Sequence, residues 1–379
     1  MDKVKRYLAA GAFVLIMVLI MIYASKDRPR YTMSEDSGTE YETARVLTLV
    51  EDKTVVDEQT ENVKKGSTVL DIEILTGRYK GRRERVTNYY SALYNVDVAE
   101  GDTVSVRIDT TGVDQIDVSI YNYDRIPFFF GMIGAFLLVL LLIGGRQGLK
   151  AFGGLVFTVL CIVFILLPLA LKGYETVPLT CFIILITSAA CFYLIGGLQV
   201  KTVSAALGSF GGVVIAAVFG ALAGRIGGVT VFQTDEAEAL LLQASTFPMH
   251  LRGLLVSSVL IAAMGAVMDV AMTIASALDE IHRLGPKRSE KELFLSGMKI
   301  GRDAMGTMAN TLVLAYVGSA LNMLVLIYSY GVSFIQLVNT DFVAIELIRA
   351  VSGSIGIFAT VPVVSGISAF LECKAAGKK

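Results

Sequence analysis

The 379-residue sequence has little charge. Charged residues make up 18% of it and the mean hydropathy is +0.64, whereas a soluble domain carries roughly 25% charged residues. About half of the 33 basic and 34 acidic side chains fall between Lys26 and Arg125, so the remainder is charge-poor. This pattern excludes a cytosolic enzyme and a disordered chain. It indicates a membrane protein with one polar domain.

The sequence is also poor in cysteine and histidine. Its four cysteines lie in apolar runs or in the basic tail, so the polar segment contains no disulfide and no thiolate metal site. The two histidines, His250 and His282, are far apart in sequence, and a histidine metal site needs more ligands than they supply. The sequence therefore predicts neither a metal nor a cofactor.

Motifs of hydrolytic and nucleotide-driven chemistry are missing too. The chain has no His-Glu-x-x-His run and no Walker A run. An aspartyl-type site would need a second aspartate at membrane depth, and serine chemistry would need a base there. We therefore expect no catalytic residues, no enzyme activity and no nucleic-acid binding.

The sequence does contain eight apolar runs close to the roughly 20 residues that a helix needs to cross a bilayer. The first run favours an uncleaved anchor over a cleaved signal peptide, because no good small-residue cleavage site ends it. We predict a polytopic α-helical membrane protein with about eight transmembrane helices. The runs are residues 7–24, 126–143, 151–171, 178–198, 203–223, 251–278, 304–328 and 344–370.

Lysine and arginine in short loops predict the orientation of these helices. With the N-terminus inside, fifteen such residues fall on the inner side and four on the outer side. The sequence thus predicts a multi-pass plasma-membrane protein with both termini in the cytoplasm. Its expected parts are an N-terminal anchor (1–25), an extracytoplasmic β domain (26–125), a seven-helix membrane domain (126–373) and a basic cytoplasmic tail (374–379).

The polar segment has the alternating, β-branched pattern of short strands. Five or six strands in under 100 residues indicate a small barrel or sandwich, OB-like in one interpretation. A basic cluster from Arg78 to Arg85 fits a solvated strand face better than an anion or lipid-headgroup site. The predicted strands are residues 44–50, 68–75, 83–88, 102–109 and 117–123.

Two further segments carry charge near predicted spans. The insert between residues 224 and 251 fits an amphipathic surface helix or a re-entrant segment. Its charged group is an acidic trio, Asp235, Glu236 and Glu238. In the last span, the i, i+3 spacing of Glu346 and Arg349 favours a local salt bridge.

One apolar run carries a carboxylate far from either end. Asp269 lies ten residues, about 15 Å, from Asp279, and an aspartate at mid-helix costs roughly 2.5–3.5 kcal/mol to insert. Helical spacing extends a polar stripe from it through Thr273, Ser276 and Glu280.

The following run supplies a second polar stripe. We predict that Asn310 or Thr307 hydrogen-bonds Asp269 and that the two stripes couple ions or protons. The alternative is a polar clamp that only joins two helices. The second stripe comprises Asp303, Thr307, Asn310 and Thr311.

Glycine is abundant, at 36 residues. Small residues four apart let membrane helices approach closely, so this spacing indicates packing within a bundle or oligomer. In the fifth run these residues are Gly208, Gly212, Gly220 and Gly224.

These runs resemble the YibE/F family of bacterial multi-pass membrane proteins. The similarity extends from about Gly197 to Ala369 and is strongest over residues 265–276 and 301–312. The polar domain also looks like the one that such proteins carry after their first helix. The resemblance implies a fold but no settled activity.

A weaker similarity is to SecF, a protein-export subunit, and to the resistance-nodulation-division permeases. They also have a first helix, an outer domain and a later helix with an intramembrane aspartate. This chain has two extra helices before that helix and a smaller outer domain, so the similarity is an analogy in favour of proton coupling.

Two functions follow as hypotheses. The first is a proton- or ion-coupled transporter or exporter that uses Asp269. The second is a non-transporting envelope scaffold or assembly partner that acts through its outer β domain. The expected partners are the lipid bilayer, a second copy or a paralogous membrane protein, and an unknown transported small molecule or ion.

Overall fold

A computed structural model describes residues 15–26, 38–58, 63–91, 94–110, 116–229, 250 and 253–376. The chain divides into two compact units, Arg30–Val139 in one and Met1–Pro29 with Leu140–Lys379 in the other. Several features that the sequence singled out lie outside the described residues. They are the basic start of the chain, the acidic trio Asp235, Glu236 and Glu238, and the end of the basic tail.

The polar segment is an antiparallel sheet that curls into a half-barrel. Alternate side chains along the longer strands face one core, which includes Leu70, Ile72 and Val104. The strand order is β2-β3-β1-β5-β6, and β4 pairs with β3. All five predicted strands are present and β2 is an addition. The strands are β1 (Thr39–Asp52), β2 (Val55–Asp57), β3 (Val63–Ile74), β4 (Arg83–Tyr90), β5 (Thr103–Asp109) and β6 (Asp117–Tyr123).

The basic cluster of this sheet is paired with acidic neighbours. Arg85 makes two hydrogen bonds to Asp71, at 2.8 and 3.0 Å, across the β3–β4 pair. These bonds hold the pKa of the Asp71 carboxyl below its usual range. Arg82 pairs with Glu84, and Arg83 lies 3.8 Å from Glu73. The cluster is therefore a solvated strand face on which Arg82, Arg83 and Arg85 have acidic partners.

The rest of the described chain is helical. A π-helical turn, Ile162–Leu166, joins the second and third helices. The helices are α1 (Leu15–Ser25), α2 (Ile126–Cys161), α3 (Leu167–Leu171), α4 (Thr176–Gly196), α5 (Val200–Gly227), α6 (Leu254–Leu284), α7 (Glu290–Ser319), α8 (Leu321–Ser329), α9 (Phe334–Val338) and α10 (Asp341–Ala376).

Within the described residues, five helices are long and apolar enough to cross a membrane. The number is six if α7 and α8, which meet at 58°, form one broken span. This is fewer than the eight spans predicted, for two reasons. The first predicted span is described only from Leu15 onward, and the second and third lie in one 46-residue helical stretch, Ile126–Leu171.

That stretch bends sharply at Gly145. The φ of Gly145 is 53° and its ψ is −132°, which is not helical. A Cβ added to Gly148 would lie 2.1 Å from the carbonyl oxygen of Leu140, although residues eight apart in a straight helix are separated by about 12 Å. The bend therefore separates the two apolar runs that the sequence distinguished.

The last long helix, α10, is central to the packing of the helices. It packs against α5, α6 and α7, and glycines of α5 lie directly against its side chains. A Cβ added to Gly208 would meet Val364, one on Gly212 would meet Thr360, and one on Gly220 would meet Ser352. Gly224 lies against Leu255 of α6 instead. Small residues thus set the distance between these helix backbones.

We expect Gly212→Ala to lower the free energy of unfolding by about 1–3 kcal/mol, the usual effect of overpacking. The added methyl group would lie 1.8 Å from Thr360 Oγ1 and 2.9 Å from the backbone oxygen of Gly356. Thermal unfolding in detergent micelles measures the loss. Gly366→Ala is the matched control, because nothing lies within 4 Å of its added methyl group; equal effects of the two changes would contradict the packing account.

Candidate functional site

Asp269 is the central residue of α6, with fifteen residues on either side of it. The apolar side of this helix packs into the main helical core, where Val267, Val270 and Ile274 are fully buried. The packing of that side turns the opposite side outward, so Asp269 and Thr273 are exposed. Further along the same side, Ser276 is half-buried and Glu280 is exposed.

The second polar stripe is exposed as well. Asp303, Thr307, Asn310 and Thr311 all lie on the outer side of α7. The two threonine hydroxyls donate to backbone oxygens of their own helix, Thr307 to Ala304 and Thr311 to Thr307, both at 2.9 Å.

The predicted hydrogen bond from Asn310 or Thr307 to Asp269 is not formed. No described residue accepts from or donates to the side chains of Asp269 and Asn310. The reason is that α6 and α7 meet through their apolar sides, which leaves both polar sides facing away from the contact.

Three contacts fix the relative depths of α6 and α7. Leu278 lies against Gly297, Ile274 lies against Gly301, and Ala263 and Leu312 both contact Gly353 of α10. The helices are antiparallel and both rise 1.5 Å per residue. Counting along both helices from the contact of Ile274 with Gly301 therefore places Asp269 level with Gly306. It likewise places Asn310 level with Gly265, one helical turn away. Added Cβ atoms at Gly265 and Gly306 would have nothing within 4 Å.

The two polar sides lie on opposite sides of the α6–α7 pair, because Ile274 and Leu278 contact α7 from the side of α6 opposite Asp269. The α6 polar side holds a carboxyl group and a hydroxyl, and its residues are Gly265, Asp269 and Thr273. The α7 polar side holds an amide and two hydroxyls, and its residues are Gly306, Thr307, Asn310 and Thr311.

A second group of polar residues, which the sequence pattern does not reveal, lies partly buried among helix ends. Lys201 at the start of α5 lies 3.6 Å from Asp279 near the end of α6. Glu372, near the end of α10, interacts electrostatically with both. Glu372 is only 6% exposed, and no described residue bonds its Oε1 atom. We call Lys201, Asp279 and Glu372 the charged cluster.

His282 lies one turn beyond Asp279 on α6 and is also buried. Its Nδ1 atom has no hydrogen-bond partner among the described residues. Across that part of the chain, no group of three or more His, Cys, Asp or Glu side chains could hold a metal ion.

The sequence did contain one signal for the charged cluster. Its three residues each lie within a few residues of a predicted span end, and the predicted topology places all three ends on the same side of the membrane. That signal is not sufficient, because no spacing within one helix links residues on three different helices.

The salt bridge predicted near the start of the last span is confirmed. Arg349 Nη1 lies 2.6 Å from Glu346 Oε1, and Arg349 Nε donates to Ser258 Oγ of α6 at 3.1 Å. Arg349 thus links α10 to α6, and these contacts explain the two charges as structural.

Comparison with known proteins gives one match. No curated protein and no solved structure matches the chain. The family model described as YibE/F-like protein matches residues 132–374, which is more than half of the chain and includes α4 to α7, α10, the polar sides of α6 and α7, and the charged cluster. The chain therefore belongs to the YibE/F-like protein family.

Proposed function

We propose that this chain is a proton- or ion-coupled transporter or exporter in which Asp269 is the coupling group, and that it is not an enzyme. The single observation that carries this proposal is the place of Asp269, a carboxyl group at the centre of a long apolar helix and exposed on its surface. Charged side chains at membrane depth are costly, and those that persist generally serve ion or proton paths.

The polar side of α6 supports a path that leads away from Asp269. Thr273, Ser276 and Glu280 follow it at helical spacing toward the end of α6. The same end carries Asp279 and therefore the charged cluster. The basic loop after α6 favours a cytoplasmic location for this end, and an outer location of the polar domain is part of this proposal.

Proton movement in proteoliposomes tests the proposal and does not require an identified substrate. Vesicles that contain the purified chain and an enclosed pH-sensitive dye are exposed to gradients of Na⁺, K⁺, Ca²⁺ or inorganic phosphate, one at a time. We expect at least one gradient to drive proton movement well above the rate in protein-free vesicles. Rates equal to those of protein-free vesicles under every gradient, and also under an imposed voltage, would contradict proton coupling.

The alternative function is an envelope scaffold, and one observation favours it. Tyr41 of β1 and Tyr121 of β6 are both more than half exposed and stack edge-to-face at 4.9 Å, which leaves an aromatic surface on the sheet. Exposed aromatic side chains are frequent contributors to protein interfaces. Deletion of residues 30–124 separates the two functions, since a scaffold would lose all function while Asp269→Asn would only weaken its folding.

A further inference from the structure

We infer that the hairpin formed by β1 and β2 (residues 48–57) binds the surface of the lipid bilayer, with its aliphatic side chains against the acyl chains of the lipid. This contact is separate from the coupling role of Asp269, because it belongs to the polar domain. Three features of the β1–β2 hairpin point to it, which are its exposure, its position in the sheet and its charges.

The β1–β2 hairpin exposes four large aliphatic side chains close together in the chain. The exposed fraction is 70% for Val55 and 48% for Val56 on β2, and it is 46% for Val50 and 41% for Leu49 on β1. Single exposed apolar residues are ordinary, whereas a group of them marks a surface that contacts a membrane, a protein or a ligand. The hairpin is therefore a contact surface, and its position in the sheet identifies what it contacts.

The hairpin lies at the end of the sheet from which the chain enters the membrane. The strand β6 ends at Tyr123, and the apolar helix α2 begins at Ile126 in the same compact unit. Three residues span at most about 10 Å, so this end of the sheet lies at the bilayer surface. Because β1 and β6 are both antiparallel to β5, they run in the same direction. The end of β1, which leads into the hairpin, is therefore at the membrane end of the sheet.

The hairpin also extends beyond the level at which β6 ends. Val104 of β5 pairs with Tyr123 of β6 on one side and with Ala44 of β1 on the other. From Ala44, β1 continues for eight residues to Asp52, which is about 26 Å for a straight strand. Two register shifts bend β1 within this length and shorten its reach. An extension of this size is still enough to bring the hairpin to the level at which α2 starts, where lipid covers its aliphatic side chains.

Exposed tyrosines lie at the same end of the sheet. β4 and β1 are both antiparallel to β3, so β4 also runs toward the membrane end, where it ends at Tyr90. Tyr89 is 73% exposed, and Tyr94, just after the strand, is 69% exposed. Tyrosine is enriched at the boundary between membrane and water. Aliphatic side chains with tyrosines beside them are thus the composition expected of a surface that contacts lipid.

The charges near the hairpin favour an apolar contact over an electrostatic one. Three lysines in this part of the sheet already have acidic partners, so they supply little attraction to anionic lipid headgroups. Burial of aliphatic surface then provides the free energy of the contact, and a neutral lipid such as phosphatidylcholine is sufficient. The pairs are Lys53 with Glu51, Lys64 with Asp97, and Lys65 with Asp57.

Tryptophan fluorescence in lipid nanodiscs tests this contact, because the chain contains no tryptophan. The full-length Val55→Trp chain is placed, one copy per disc, in phosphatidylcholine with or without bromine atoms on the acyl chains near the headgroup. We expect the brominated lipid to quench the emission at least about twofold. The quenching should not change from low to high salt, because screening weakens only electrostatic contacts.

The matched control is Tyr41→Trp. Tyr41 is 52% exposed on β1, and it lies three residues before Ala44, on the side away from the hairpin. We expect brominated lipid to quench this tryptophan little and iodide in the buffer to quench it strongly. Equal quenching by brominated lipid at the two positions, or no such quenching of Val55→Trp, would overturn the inference.

A further variant shows whether the native side chains make the contact, since tryptophan itself favours membrane interfaces. Val50→Asp and Val56→Asp are added to the Val55→Trp chain, and both positions are exposed, so the sheet should still fold. We expect the quenching by brominated lipid to fall to the level of Tyr41→Trp. Quenching that persists in this variant would show that the probe alone makes the contact. Emission at shorter wavelength that appears only with two copies per disc would show that a second copy covers the hairpin, and either result overturns the inference.

Discussion

Asp269→Asn is expected to reduce gradient-driven proton movement at least tenfold in proteoliposomes, which corresponds to roughly 1.4 kcal/mol or more in the barrier. The amide has nearly the same shape as the carboxyl group and can still form hydrogen bonds, but it cannot release a proton. The chain should therefore fold and reach the membrane normally. The measurement is the initial rate of dye response at equal protein content.

Two further variants make this result specific to the carboxyl group. Asp269→Glu keeps an ionisable group at the centre of α6 and should retain a measurable part of the rate. Asp117→Asn removes an exposed carboxylate from β6 and should leave the rate unchanged. Full proton movement in Asp269→Asn would end the coupling role, and Asp269 would then be a polar contact only.

Lys201→Met is expected to lower the free energy of unfolding by about 2–3 kcal/mol. Removal of one partner of a fully buried ion pair costs roughly 3–5 kcal/mol, and the side chains of Lys201 and Asp279 are 23% and 20% exposed, which reduces the effect. Without the lysine, Asp279 and the nearly buried Glu372 remain close together with no cation. Denaturant or thermal unfolding in micelles measures the loss.

A double-mutant cycle separates this electrostatic effect from lost packing. Lys201→Met combined with Asp279→Asn should be more stable than the sum of the two single changes predicts, by at least about 1 kcal/mol. Lys201→Arg keeps the positive charge and should stay close to the parent, while Lys150→Met removes an exposed lysine of α2 and should have little effect. Additive single changes would show that the charged cluster does not act as a unit.

Properties confined to one helix or strand were predictable from the sequence. Strand alternation located five of the six strands of the half-barrel, and apolar runs located the long helices. The position of Asp269 at the centre of α6 was also predictable, because it depends only on residue counts along one apolar run. The polar residues between the second and third runs indicated a break in the helix, and the structure has its sharp bend there, at Gly145.

Properties that depend on how helices rotate against each other were not predictable. The spacing of Asp269, Thr273 and Ser276 showed that they share a side of α6, but it did not show which neighbour that side meets. In the structure the apolar side, with Val267, Val270 and Ile274, packs into the helical core, so the polar side faces outward. The charged cluster was missed for a related reason, since it forms only when three helix ends meet.

The most direct test of the account is an infrared titration of the Asp269 carboxyl group in lipid vesicles, measured as the difference between the parent chain and Asp269→Asn. The account predicts a carboxyl C=O band that is absent in Asp269→Asn and that disappears reversibly as the pH of the buffer is raised, because Asp269 exchanges its proton with water. An Asp269-dependent band that stays unchanged at every pH would contradict it, since the carboxyl group would then be a permanently protonated contact between helices.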